Sequence, residues 1–268
     1  MRFYTERGCA KRCSFCSVGE FFNGTVKTAT PIDINATIRN LIQTTREVDV
    51  RHIVIGNLSM FNQSLADKEF VRSLRRSFDE TGFELEWWCQ TRGDLITREI
   101  AKLLADAGCK QVAIGCEAGT DMQLNHIRKG EKCDQIKRAL EMLRENKIET
   151  QCYWVIGLPR DNADRIKKTQ QAILSYLEND LTTLTHITIL VPYPGTPVEA
   201  KPGNHGININ HKRWGEYWMN CDPFGCGEPV YNTTDINNKI LLKSNEIHES
   251  WLETICMVSE FYERKYPT

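Results

Sequence analysis

The sequence is short of net charge. Lys and Arg number 34 and Asp and Glu 35, a balance of −1 over 268 residues. Such a chain has no overall field to draw in nucleic acid or an anionic membrane face, and neither is expected as a partner. Long apolar runs are missing too: the longest stretches, such as 187–192, fall far short of the roughly 20 residues a membrane span requires. Met1-Arg2-Phe3 leads straight into strand-like sequence without the apolar segment of a secretory signal, which predicts a cytoplasmic protein. No Ser/His/Asp set and no phosphate loop is present, and the six His share no metal-ligand spacing. The remainder is ordinary for a globular chain, 41% apolar and 26% charged. It is long enough to bury a core without cross-links.

From Arg51 to about Val191 two periodicities alternate. Short β-branched and aromatic runs at 51–56, 83–89, 111–115, 149–157 and 186–191 predict strands buried on both faces. Between them, apolar residues at three- and four-residue spacing (Phe70, Leu74 and Phe78; Ile136, Leu140 and Leu143) predict helices. With an opening strand at 1–5 and a helix at 35–47, the count is six β/α units. The expected fold is α/β, a partial (β/α)6 TIM-like barrel open on one side, with a doubly wound sheet as the alternative. Residues 1–198 read as the core. Residues 199–268 read as a cap of loop followed by one amphipathic helix from about Asp235 to Tyr262.

The eleven Cys are too sparse for a disulfide scaffold and odd in number. Eight are scattered (Cys89, Cys109, Cys116, Cys133, Cys152, Cys221, Cys226 and Cys256) and read as small buried hydrophobes. The other three form Cys9-x3-Cys13-x2-Cys16, in the loop after the first strand, where β/α barrels place catalytic groups. Three thiolates within eight residues can converge on one metal centre, and soft sulfur selects zinc or iron–sulfur. A closed zinc site would need a second Cys or His pair, and the sequence has none at matching spacing. A cluster with one iron left open is the favoured reading.

Together with these cysteines, the segments 5–18, 114–119, 127–130, 155–159 and 192–197 resemble the radical S-adenosylmethionine (SAM) superfamily in order and spacing. The closest texture is the subgroup that often carries a cobalamin-binding domain ahead of the core; here the core starts at residue 1, so that domain is not expected. The resemblance implies that Cys9, Cys13 and Cys16 hold three irons of a 4Fe–4S cluster, the fourth being chelated by SAM. It further implies SAM contacts from Phe15, Asn57, Gln90, Arg92, Glu117, Lys129, Tyr153 and Ile156. Asn57 stands where the family's Gly-Gly-Glu is usual, so either its side chain or backbone carbonyls would meet the SAM amine. Arg92 reads equally as a partner of Asp94, Arg128 as an alternative to Lys129, and Ile156 as plain core. The implied activity is reductive cleavage of SAM to a radical that abstracts hydrogen from a small-molecule or peptide substrate. An external electron donor such as flavodoxin or ferredoxin is implied with it. The alternatives are the catalytic part of a cobalamin-dependent methyltransferase and a non-catalytic iron–sulfur protein. Cys221 and Cys226 lie in the aromatic- and Gly-rich stretch 218–227. Besides a plain turn, they carry two further readings: hydrogen donors to a substrate radical, or ligands of a second cluster.

Overall fold

The computed structural model describes residues 2–28, 31–48, 52–61, 64–82, 85–210 and 229–267. Six strands form one parallel sheet: β1 (Arg2–Phe3), β4 (His52–Met60), β5 (Glu86–Thr91), β6 (Cys109–Glu117), β7 (Glu149–Ile156) and β8 (Leu184–Ile189), in that spatial order. A doubly wound sheet would reverse its strand order partway. This one does not, and among the described residues β1 and β8 do not pair, so the barrel is partial.

The connecting helices are α2 (Pro31–Glu47), which starts four residues before the expected Asn35, α3 (Ser64–Thr81), α4 (Arg98–Asp106), α6 (Cys133–Glu145) and α7 (Ala163–Glu178), with a short α5 (Asp121–His126) that the periodicity does not mark. Helix α4 illustrates the local cause. The Thr97 hydroxyl accepts from Ile100 N at 3.2 Å to start it, Ile100, Ala101 and Leu104 face the sheet, and Gly108 at φ 79° turns the chain into β6. In the strands Trp87 is fully buried and donates Nε1–H to the Ala107 carbonyl at 2.7 Å, whereas Trp88 is only half-buried. The scattered cysteines split: Cys89, Cys109, Cys116 and Cys152 are buried as expected, Cys133 is half-buried, and Cys256 is exposed. Cys221 and Cys226 lie outside the described residues.

Two features differ from the sequence reading. An antiparallel hairpin of β2 (Glu6–Gly8) and β3 (Val26–Thr28) encloses the cysteine loop and the short α1 (Ser17–Phe21). Gly8 sits at φ 102°, and a Cβ there would stand 2.1 Å from the Thr25 carbonyl oxygen, so only glycine closes this hairpin. The C-terminal helix does not begin near Asp235. The Asp235 carboxylate accepts from the backbone N–H of Asn237 and of Lys239, and Asn238 takes φ 60°. Those bonds make a turn between β10 (Tyr231–Thr234) and β11 (Ile240–Leu242). With β9 (Ile207–Ile209) these form a small antiparallel sheet, and the helix, α9, spans Ser244–Lys265; a short α8 covers Pro197–Ala200.

This C-terminal unit docks on the barrel through hydrogen bonds from buried groups. Tyr231 Oη donates to the Gly157 carbonyl at 2.8 Å and Thr233 Oγ1 to the Asp161 carbonyl at 2.8 Å. Trp251 Nε1 donates to Ile187 at 2.9 Å, which brings α9 against the edge strand β8.

Asp161 sits under that contact. Its carboxylate accepts from the backbone N–H of Gly157 and of Asn162, both at 3.2 Å, yet burial dominates and pushes its pKa up to about 7. A carboxyl whose folded pKa is raised binds more protons folded than unfolded. It therefore costs stability as pH rises from the unfolded value near 4 through about 7. The expected loss is on the order of 4 kcal/mol across that window. Asp161→Asn should flatten that slope in urea titrations between pH 4 and 8; an unchanged slope would mean that Asp161 is ionised throughout.

Candidate functional site

One cavity of about 270 Å³ opens at the C-terminal end of the strands. Its wall includes all three motif cysteines, together with Phe15, Gln90, Arg92, Glu117, Lys129 and Tyr153. The cysteine loop is tied down from several sides. Ser14 N donates to the Ile127 carbonyl, the Ser14 carbonyl accepts from Val198 N, and Lys11 Nζ stands 3.4 Å from Asp94 Oδ2. Arg12 turns away to the Asn23 side chain and carbonyl. All three thiols are free and half-buried. Burial pushes the Cys13 thiol up, against the pull of Lys129 and Arg92; burial also raises Cys16, against the N–H groups of Val18 and Gly19.

Behind the thiols lies a network of buried charges. Lys129 Nζ stands 3.0 Å from Glu117 Oε1 and 3.2 Å from Glu131 Oε2. Arg92 grips Asp94 with two bonds, at 2.9 and 3.1 Å, donates to the Lys129 carbonyl at 2.7 Å, and lies 3.4 Å from Glu131. Its Nη1 is 4.0 Å from Cys13 Sγ. Glu131 is the hub: its side chain is wholly buried, and Oε1 accepts from Asp94 N at 2.8 Å. Burial alone would lower the Lys129 pKa; Glu117 and Glu131 overcome it and hold the ammonium above its ordinary pKa. Burial likewise works against the Asp94 carboxylate, and Arg92 with Lys11 overcomes it, so that pKa lies below the usual range.

The strand end that carries Glu117 explains its placement. Ala118 N donates to the Cys116 carbonyl at 2.8 Å, a γ-turn bond that holds Glu117 at φ 62°. Its carboxylate thereby folds back over Gly115, where a Cβ would stand 2.4 Å from Glu117 Oε1 and 3.1 Å from Lys129 Nζ. Glycine at 115 leaves a cradle that a side chain would fill.

Two expected contacts are absent from the cavity wall. Asn57 is fully buried, and its amide is spent on the first loop: Oδ1 accepts from Thr5 N (2.9 Å) and Glu6 N (3.2 Å), while Nδ2 donates to Thr5 Oγ1 (2.6 Å). The same segment reaches the cavity through Leu58 and Ser59 instead. Ile156 is fully buried in the core, as its plain reading had it. Arg128 is exposed, which leaves Lys129 as the inward cation. Gln90 donates to the Leu58 carbonyl at 3.0 Å, and Tyr153 stacks on His186 with ring centroids 5.0 Å apart. Sequence reasoning stopped one residue short of Glu131; the signal was an acid directly after Lys129-Gly130.

The profile of the radical SAM superfamily matches residues 4–173, well over half of the chain. The chain belongs to the radical SAM superfamily. Membership brings a 4Fe–4S cluster and SAM as cofactors. Two curated relatives are similar over the same core. The anaerobic magnesium-protoporphyrin IX monomethyl ester cyclase of Rubrivivax gelatinosus is 26% identical over 165 residues, 61% of this chain and 28% of that protein. The cytidylyl-2-hydroxyethylphosphonate methyltransferase of Streptomyces wedmorensis is 25% identical over 183 residues, 66% of this chain and 32% of that protein. The chain thus spans about a third of the length of these relatives. Among solved structures, the radical SAM methyltransferase TsrM of Kitasatospora setae, with cobalamin and a 4Fe–4S cluster bound, superposes with a TM-score of 0.72. It is 16% identical, and the match covers 97% of this chain and 50% of that one.

The residues present fit the radical SAM cofactors. Three free thiols share one wall with a glycine-floored cradle and a buried ammonium. Among the described residues, no three His, Cys, Asp or Glu gather as tightly as a single metal ion would need. A cluster that gives each thiolate its own iron asks for wider spacing.

Proposed function

We propose that residues 1–198 are a SAM-cleaving catalytic core and residues 199–268 its cap. Cys9, Cys13 and Cys16 hold the cluster, Glu117 takes the ribose, and Lys129 takes the carboxylate of SAM. Phe15, Gln90 and Tyr153 wall the space beside them. The observation that carries this reading is the convergence of three free thiols and the Arg92–Glu131–Lys129–Glu117 network on one cavity. When bound, cluster and SAM supply a 5′-deoxyadenosyl radical after one-electron reduction by an external donor such as flavodoxin or ferredoxin. The chain's own residues bind and orient. Lys129 is held charged so that it can meet a carboxylate, and Arg92 places positive charge beside Cys13. The substrate, a small molecule or peptide, enters through the open side of the barrel.

A second reading is favoured by the cobalamin bound in TsrM and by the methyltransferase among the relatives. In it, this core serves cobalamin-dependent methyl transfer, with cobalamin supplied from outside residues 1–268. Anaerobic reconstitution with iron, sulfide, dithionite and SAM tests the first reading: 5′-deoxyadenosine should form, and its absence would sink it. Product that forms only when cobalamin or a cobalamin protein is added would move the assignment to the second.

A further inference from the structure

Three arginines gather at the same end of the barrel as the cavity without a carboxylate to answer them. Arg128 follows α5, Arg160 follows β7, and Arg165 lies in the first turn of α7. Elsewhere Arg72, Arg76, Arg92, Arg98 and Arg138 each stand within 4 Å of a carboxylate. Among the described residues none of these three does. Their anchors are neutral: Arg165 donates to the Arg160 carbonyl and lies 3.2 Å from Met122 Sδ, and Arg160 donates to the Asn204 carbonyl at 3.3 Å. A guanidinium has five N–H groups, so these contacts orient the Arg160 and Arg165 forks and leave donors to spare, while Arg128 is exposed.

Gln123 bridges the two loops that carry these arginines: its Nε2 donates to the Pro159 carbonyl at 3.4 Å and its Oε1 meets His126 Nδ1 at 2.9 Å. Burial lowers the pKa of His126, and Arg165 and Arg160 lower it further. Burial lowers His205 too, with help from Arg128 and Arg160. Both shifts favour the neutral ring beside the guanidinium charges. Asp161 feels Arg165 but is buried, its carboxylate turned to the amides of Gly157 and Asn162; Asp164 is exposed and makes no ion pair with the three among the described residues.

The backbone adds an independent sign. Arg128 at φ 53° and Arg160 at φ 61° both occupy the left-handed region, which a glycine would take without strain. Strain of this kind persists where surrounding structure enforces it, and it gathers at ligand clamps. Space for the Arg160 stem comes from Gly206, where a Cβ would stand 2.3 Å from Arg160 Cγ. The loop at 127–130 serves both places: Lys129 lines the cavity while Arg128 is exposed.

We propose that Arg128, Arg160 and Arg165 form an anion site that holds a phosphoryl group of the substrate. This inference rests on the function proposed above and adds the substrate's chemical class. Two anchored forks and an exposed third guanidinium suit a tetrahedral, doubly charged group, whereas one carboxylate occupies a single fork.

The test uses the full chain with ¹³C-labelled histidine, titrated with inorganic phosphate, pyrophosphate and succinate. Phosphate and pyrophosphate should raise the pKa of both His126 and His205, with pyrophosphate binding more tightly than succinate. Arg128→Gln and Arg165→Gln should each weaken pyrophosphate about tenfold, as loss of one charge-assisted contact does. Arg98→Gln, on a surface pair with Glu145, should leave binding unchanged. Arg128 is exposed, so its variant tests the site even if Arg165→Gln folds poorly. No histidine shift with either phosphate probe, equal affinity for succinate, or wild-type affinity in Arg128→Gln would overturn the proposal. Phosphate binding without SAM cleavage would leave this site standing and sink the catalytic reading; SAM cleavage without phosphate binding would do the reverse.

Discussion

Glu131→Ala is expected to destabilise the chain by about 3–5 kcal/mol, the cost of breaking a buried ion pair from one side. The wholly buried carboxylate stands between Lys129 and Arg92 and accepts from Asp94 N. Its removal leaves two buried cations to share Glu117 and Asp94, and it strips Asp94 N of its acceptor. For a chain of this size the melting temperature should fall by roughly 10 °C. Glu131→Gln keeps an oxygen for Asp94 N and should recover part of the loss. It cannot restore the charge that holds Lys129 protonated, so SAM binding should weaken in both variants. Urea unfolding and SAM titration measure the two effects separately. A stability change below about 1 kcal/mol would mean that water reaches the network and screens it.

Replacing Cys9, Cys13 and Cys16 together by Ala should reduce iron and sulfide to background after anaerobic reconstitution. Folding should survive, because all three side chains are half-buried in a loop held by backbone bonds at Ser14 and by the hairpin on either side. Circular dichroism of the variant should therefore match wild type. Full metal content in the triple variant would reassign the cluster; an unfolded variant would show that the thiols also serve the loop's packing. Counting iron in the wild type addresses Cys221 and Cys226 at the same time: about four irons per chain leaves no second cluster for them, and about eight supports one.

The barrel was legible because buried parallel strands and amphipathic helices write two distinct periods into the chain. The cysteine loop was legible because ligand chemistry fixes both residue type and spacing. Glu131 was marked only by its place directly after Lys129-Gly130, and its other partner lies 37 residues earlier, at Asp94, where no local pattern points to it. Asn57 follows the same logic: a polar residue within β4 faces either the cavity or the neighbouring loop, and Thr5 and Glu6 take its amide. The segment 235–243 has apolar residues at spacings a helix accepts. One aspartate side chain capping two backbone N–H groups outweighs that pattern and turns the chain back as a hairpin. Short strands such as β9 and β11, of three residues each, carry too little pattern to be read before their partners are known.

The docking of α9 against β8 bears on how the chain is made. Strand β8 ends the sheet, and the groups that cover it, Trp251 on Ile187 and Tyr262 on Thr183, come from residues translated well after it. During synthesis the barrel can close its other strands while this edge stays bare for several seconds, at about 5–20 residues per second. An unpaired edge in a nascent chain invites pairing with a neighbour on the same messenger. The last helix thus acts as a late seal, and stalling the ribosome before Ser244 should yield chains that are folded through β7 but prone to associate.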